Sequence, residues 1–365
     1  MKNDVKRSRL TLGTALGSAV FAAASLALVS TSLADTFSFR VGSGHPVKGL
    51  SHMEALEYQF LPEVAKRVEE RTDHKIKWIK AYSGSLVKLP ETLGATQKGL
   101  IDIGVINYPH ITELFVQNFP FYFPFQTGDA VMATKAVRAT FDEVPWLTKS
   151  FEEKYNQKLL AIGANGNYGI GTTFPFEKFE DLKGKKVGAG GPNLLWFEGT
   201  GVAPVTTNLG EAYNALKSGI YDGLVIFPGP YYGFKLQEVG TNFTVANFGS
   251  PSALSINMNL DRWNKLPKEV QDIFLEVSAE YEIHSSELAN EADAKGLEHL
   301  KAAGTNIINL PVEEQAKWAR GLAEYPNRQA EEATSRGAPG TEIFRTYIKN
   351  LKELGYQWPH EYQIK

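Results

Sequence analysis

His45 and His52, with Glu54 two residues further on, are the first side chains of this 365-residue chain that could ligate a metal. Two imidazoles and a carboxylate suit zinc, but their spacing fits none of the patterns that gather such groups around one ion. Loop and helix-cap roles are the plainer reading, so no metal and no cofactor is expected. Ser85 and Lys88 match the Ser-x-x-Lys spacing of an activated nucleophile, without the partner motifs that give it meaning, and read as a turn. No Gly-x-Ser-x-Gly elbow, phosphate-cradling loop or His-Glu-x-x-His helix occurs. The chain has no cysteine, which excludes disulfides, thiolate metal sites and cysteine nucleophiles. Asn242-Phe243-Thr244 is a formal glycosylation sequon to which no role is assigned. What remains is a set of aromatic side chains. Tyr82, Tyr108, Tyr168, Trp196, Phe197, Phe227, Tyr231 and Tyr232 each fall just after a strand-like run or near the start of a helical one. In open α/β sheets that edge is where ligands bind, although filling a core is the commoner use of such rings.

The elements that must position these rings alternate. Phe37–Gly42 and Lys75–Ala81 read as strands by their period of two, and Met53–Arg71 as a helix flawed by Pro62. Glu91–Lys98 then reads as a helix closed by Gly99, followed by an apolar strand at Ile101–Ile106. A second set runs through Leu159–Gly163, Lys185–Ala189, a helix after Pro192, Pro204–Thr207, a helix at Glu211–Lys217 and a strand at Leu224–Phe227. Such alternation favours right-handed crossovers and mostly parallel sheets. From Pro267 to about Ala302 the period is helical, long enough to brace two lobes. The expected fold class is α/β, with two lobes, a ligand cleft between them and a long bracing helix. The expected boundaries are 35–161 plus about 248–285 for lobe I, and 162–247 plus about 286–365 for lobe II with the C-terminal helices.

Residues 1–34 have another character. Lys2, Lys6, Arg7 and Arg9 precede an apolar run from Leu10 to Val29 and the small residues Ser32 and Ala34, the three-part pattern of a secretory signal peptide cleaved before Asp35. An uncleaved anchor is the competing reading, weakened by the many small residues in the run. Removing this segment leaves 34 basic residues against 40 acidic ones, a net charge of −6. That balance gives no footprint for nucleic acid, and the 43% hydrophobic and 22% charged shares are those of a soluble globular chain.

Several strings, in order, resemble the DctP-type receptors of tripartite ATP-independent periplasmic (TRAP) transporters. They are Gly84-Ser85-Leu86, Glu91 to Asp102, Asp181-Leu182-Lys183-Gly184-Lys185-Lys186-Val187, Glu211 to Gly223, and Asn257 to Pro267. The resemblance implies a monomeric periplasmic receptor that closes two lobes on a small organic solute and delivers it to the small and large membrane subunits of a TRAP permease. No enzymatic activity and no nucleic-acid partner are implied. An ABC-type receptor, or an exported α/β enzyme using Glu91, His45 or Glu198, stands as the alternative. The expected ligand-binding residues are Tyr82, Glu91, Asn107, Tyr168, Lys186, Gly188, Trp196, Asn208, Phe227 and Tyr231.

One departure from the family bears on the solute. After the Gly-x-Lys-Val string the family places an arginine that grips a carboxylate through a bidentate ion pair; here Gly188 stands there, and no arginine occurs between Arg138 and Arg262. An enclosed carboxylate would then need other donors, such as Lys186 or backbone N–H groups near Gly188 and Gly190. Otherwise the solute is cationic or neutral, with rings and the carboxylates of Glu91 and Glu198 around an amine, and the sequence favours this second reading.

Overall fold

The computed structural model describes residues 35–365; the expected signal peptide lies outside the described residues. Eleven strands form two sheets among them. In chain order they are β1 Thr36–Gly42, β2 Lys75–Ala81, β3 Ile103–Asn107, β4 Gln157–Gly163, β5 Gly169–Thr172, β6 Lys186–Ala189, β7 Ala203–Thr206, β8 Gly223–Ile226, β9 Asn242–Val245, β10 Leu254–Asn259 and β11 Asn306–Asn309. The first sheet has the order β2-β1-β3-β10-β4 and the second β11-β9-β5-β8-β6-β7. Both are mixed rather than mostly parallel. β10 runs antiparallel to β3 and β4, and β5 antiparallel to β8 and β9. These are the strands the chain enters on arriving from the other sheet, where the crossover rule for successive parallel strands does not apply.

Local chemistry explains the elements. In β1 the alternation buries Phe39 and Val41 on one face, and the Phe39 ring meets Phe274 of the long helix edge-on at 5.8 Å. The predicted helix from Met53 to Arg71 forms with a π turn at Leu56–Phe60, ahead of Pro62. The Leu61 N–H reaches Leu56 five residues back, the widening that lets a helix absorb a ring with no N–H to donate. The segment after Pro192 is a 3₁₀ run, Gly191–Phe197, in place of the expected α-helix.

The helix Lys268–Ala302 has 35 residues, about 50 Å at the ordinary rise per residue. Its first half packs Val270, Phe274, Val277 and Tyr281 into the core of the first sheet, and Leu297 and Leu300 join the core of the second. A third, larger core was not visible in the sequence. The phenylalanine-rich stretch Phe115–Phe125 and the helices Val312–Gly321, Tyr325–Ser335 and Gly340–Glu353 enclose it, and it reaches Ile106 and Ile162 of the first sheet and Val187 and Val225 of the second. The sequon falls inside β9, where the Asn242 side chain accepts from Asn306 at 3.0 Å.

The chain passes between sheets after β4, after β9 and along the long helix. These crossings are tied together by few groups. Asp293 of the helix accepts from the Asn167 N–H, the Asn167 amide donates to Asn247 at 2.9 Å, and its oxygen accepts from the Gly249 N–H at 3.1 Å. Where the helix crosses Pro228–Gly233, a Cβ on Gly296 would lie 2.6 Å from the backbone nitrogen of Gly229. Gly296→Ala is therefore expected to cost about 1–3 kcal/mol through overpacking against backbone. Urea denaturation reads this, and an unchanged midpoint would contradict the close approach.

Candidate functional site

Between the two sheets lies a cavity of about 810 Å³, within the roughly 300–1,000 Å³ range of small-molecule sites. It opens at the carboxyl ends of the strands. Asn107 is the last residue of β3, Gly190 follows β6, Thr207 follows β7 and Phe227 follows β8, and all four line the wall. Tyr168, in the first crossing segment, sets its ring edge-on against Phe227 at 5.3 Å. Most of the wall is apolar, with Pro46, Leu89, Pro109, Leu209, Ile226 and Phe234 among its members. Its polar groups include four side-chain amides, Asn107, Asn165, Asn193 and Asn208. Asn193 is 3% exposed and its buried amide nitrogen has no partner among the described residues.

Asn107, Tyr168, Asn208 and Phe227 of the expected set thus come together; the other six lie elsewhere, each for a physical reason. Tyr82 donates its hydroxyl to Glu57 at 3.0 Å. Glu91 is exposed, and its carboxylate accepts the Lys88 N–H at 2.9 Å to cap the turn it ends. Lys186 begins β6, at the end of the strand away from the cavity, and donates to the Gly219 carbonyl at 2.8 Å. Gly188 is buried within β6, and a Cβ there would meet the Tyr221 ring at 2.9 Å. Tyr221 occupies the space a larger side chain would need. Trp196 is fully buried, donates to the Phe121 carbonyl at 2.8 Å and meets Tyr168 edge-on at 5.7 Å, so it supports the wall from behind. Tyr231 is fully buried, its ring against Gly171 and its hydroxyl donating to Gly240.

The charge character of the wall also differs from the sequence reading. Of the described residues lining the cavity none is Asp, Glu or Arg, and Lys88 is the single lysine. Glu198, offered with Glu91 as partner for an ammonium, pairs instead with Arg328. His45 and His52, which sequence reasoning left to loop and cap roles, line the same wall together with His110, which it did not single out. Only folding brings them together, since His110 follows β3 and the other two flank the start of a helix. Glu54 accepts the Gly49 N–H at 2.9 Å, and no group of His, Asp and Glu suited to a metal occurs among the described residues.

The profile of bacterial extracellular solute-binding protein family 7, DctP, matches residues 51–332. The chain belongs to the DctP family. It is 27% identical over 258 residues to the C4-dicarboxylate-binding periplasmic protein DctP of Rhodobacter capsulatus, covering 69% of this chain and 76% of that one. Its fold is similar to a TRAP periplasmic solute-binding protein from Desulfovibrio salexigens, with TM-score 0.77 and 20% identity over 87% of this chain and 96% of that one. It is also similar to a TRAP solute-binding protein from Rhodoferax ferrireducens solved with copurified benzoate, with TM-score 0.75 and 17% identity over 87% of this chain and 98% of that one. This DctP-family chain is accordingly a periplasmic solute receptor of the TRAP type and not an enzyme. Two of the family strings fall on elements of the second sheet rather than on the cavity wall, with Lys186–Val187 opening β6 and Glu211–Gly223 forming the helix Ala212–Lys217 and the start of β8.

Two further consequences follow from the geometry. Gly191, on the second-sheet side with φ +54°, would place a Cβ 2.7 Å from the Pro109 carbonyl oxygen on the first-sheet side. Gly191→Val is expected to prop the lobes apart, lowering solute affinity tenfold or more with a folding cost of only about 1–2 kcal/mol from left-handed backbone strain. X-ray scattering at saturating solute checks it; a variant as compact as the parent would show that this contact does not limit closure. The second concerns His52, which burial pushes from 6.5 down to about 4. The unfolded chain then binds its proton first as pH falls, so the stability present above about pH 6.5 is lost progressively toward pH 4, by about 3 kcal/mol. Urea midpoints across that interval should fall less steeply in His52→Asn, and equal slopes would overturn the assignment.

Proposed function

We propose that this chain captures a small organic solute with an apolar, ring-sized body and a neutral or anionic polar head, closes its two lobes around it and passes it as a monomer to the membrane subunits of a TRAP permease. The carrying observation is the wall itself: both sheets contribute to an apolar cavity with several side-chain amides and no carboxylate among the described lining residues. An ammonium solute would be desolvated there without a counter-charge, which is costly, and this reverses the preference that the sequence alone suggested. The Phe227 ring and the Tyr168 ring edge-on to it, with Tyr168 backed edge-on by Trp196, offer a face for a flat body. The benzoate copurified with the Rhodoferax ferrireducens protein is of the same size and character. Asn107, Asn193 and Asn208 supply donors and acceptors that orient the head in place of the family's arginine, with the space beside Gly188 filled by Tyr221.

Native mass spectrometry of freshly purified protein is expected to reveal a copurified solute that is uncharged or a monoanion. Adding it back to stripped protein should contract the molecule in X-ray scattering without turnover. A diamine or other cation in that spectrum would overturn the solute reading, and a broad library in which nothing produces contraction would overturn the receptor reading.

A further inference from the structure

The cavity wall contains an arrangement that the binding of a neutral head would not require. His45 Nδ1 and His52 Nε2 lie 3.2 Å apart, and the His110 ring stands edge-on to His45 with centroids 6.5 Å apart. One of the paired nitrogens donates and the other accepts, so the pair shares a single proton across that contact. His52 is 3% exposed and its backbone carbonyl accepts the Tyr281 hydroxyl at 2.9 Å, which anchors it to the long helix. The outer nitrogen of His45 and both nitrogens of His110 have no hydrogen-bond partner among the described residues.

Deepening the receptor reading and resting on it, we propose that His45, backed by His52 and flanked by His110, recognises the solute head, and that the head is an anion taken up together with one proton. The proton comes from solvent and goes to the free ring nitrogen of His45. The resulting imidazolium donates Nδ1–H to a neutral His52 acceptor and its new N–H to the anion, and no other bond is made or broken. His52 makes the cation tolerable without carrying it. Before binding, burial first and then the two neighbouring imidazoles hold His45 well below the usual histidine range. His110, though more exposed, is lowered by the same loss of water. The other charged or titratable groups around the cluster are Lys88, which lines the same wall, Glu54, held by Gly49, and Tyr168, a phenol raised by burial and by Asp293. None is a carboxylate free to supply the counter-charge, so an anionic solute is the partner that completes the pairing.

The test is calorimetry on the full mature protein with benzoate, mandelate, pyruvate and succinate as acid probes and benzamide and glucose as uncharged ones, from pH 8 to pH 5.5 in buffers of differing ionisation enthalpy. At least one acid should bind with uptake of close to one proton, its affinity rising by up to tenfold per pH unit as pH falls. His45→Gln should abolish both the uptake and the slope, whereas Lys88→Gln should weaken the acid about equally at every pH. Should His45→Gln fail to fold, ring-proton NMR of the unmutated protein should show the His45 titration moving up by more than one unit on binding. An acid that binds with no proton exchange and a flat affinity, or preference for benzamide or glucose, overturns the proposal and leaves the receptor standing. If no solute of any kind produces lobe closure, the receptor reading falls and this one with it.

Discussion

Everything in this molecule depends on a chain that must pass between two sheets three times without leaving its polar backbone unsatisfied. The long helix makes this possible with two carboxylates. Glu282 accepts the Ile162 N–H of β4 at 2.9 Å and pairs with Arg138, fastening the helix to the first sheet. Eleven residues later Asp293 accepts from Asn167 in the first crossing, and Asn167 in turn ties down Asn247 and Gly249 in the second. A Cβ on Gly166 would lie 2.5 Å from the Asp293 carboxylate, so the crossing approaches the helix as closely as backbone can. Burial pushes Asp293 up to about 7 against the pull of two backbone N–H groups. Its carboxylate is thus easily neutralised, and the ties among the crossings rest on hydrogen bonds more than on charge. That suits a joint that bends in the proposed lobe closure.

The chemistry of the cavity follows from where the sheets end. Because the wall is made of strand ends and the loops after them, it collects residues from both lobes, and its character is set by side chains distant in sequence. The surroundings of Gly188 illustrate this. Gly188 alone would suggest a hole where a guanidinium had been, but the Tyr221 ring, contributed from the next helix-to-strand turn, fills it. Tyr221 also lies 3.3 Å from the Thr207 hydroxyl, and Thr207 lines the cavity. The surroundings of Gly188 are therefore packed and neutral, and in the proposed reading the imidazoles on the opposite lobe are the adjustable groups.

How far the sequence foretold this depended on periodicity. The strands β1 and β2, the crossover helices and the 35-residue helix were legible because alternation and helical spacing act over neighbouring residues. The third core was not, because Phe115–Phe125 has no period and its partners, such as Trp318 and Tyr347, lie some two hundred residues away. The same limit divided the aromatic candidates. Tyr168 and Trp196 both follow strands, yet one faces the cavity and the other backs it, and only packing decides between them. His45 and His52 were noticed for their chemistry, but the residue that gives them a setting, His110, comes from another strand end.

The distinction between facing and backing residues has an energetic meaning. Trp196, Tyr221 and Tyr231 are fully or almost fully buried, so each contributes the area of a core aromatic and spends its polar atom on a fixed acceptor. They hold Tyr168, Thr207 and the β5–β8 floor in place at little entropic cost on binding. The wall residues proper are mostly short or stiff: four amides, four prolines, glycines, branched aliphatics, and the rings of Tyr168, Phe227, Phe234 and three histidines. Such a surface loses little rotamer freedom when a solute arrives, so the gain from burying a flat apolar body, roughly 25 cal/mol per Å², is not consumed in ordering the site. Selectivity then rests on cavity shape and on which head group can satisfy the amides and imidazoles, since a wall this poor in fixed charge cannot attract by field alone.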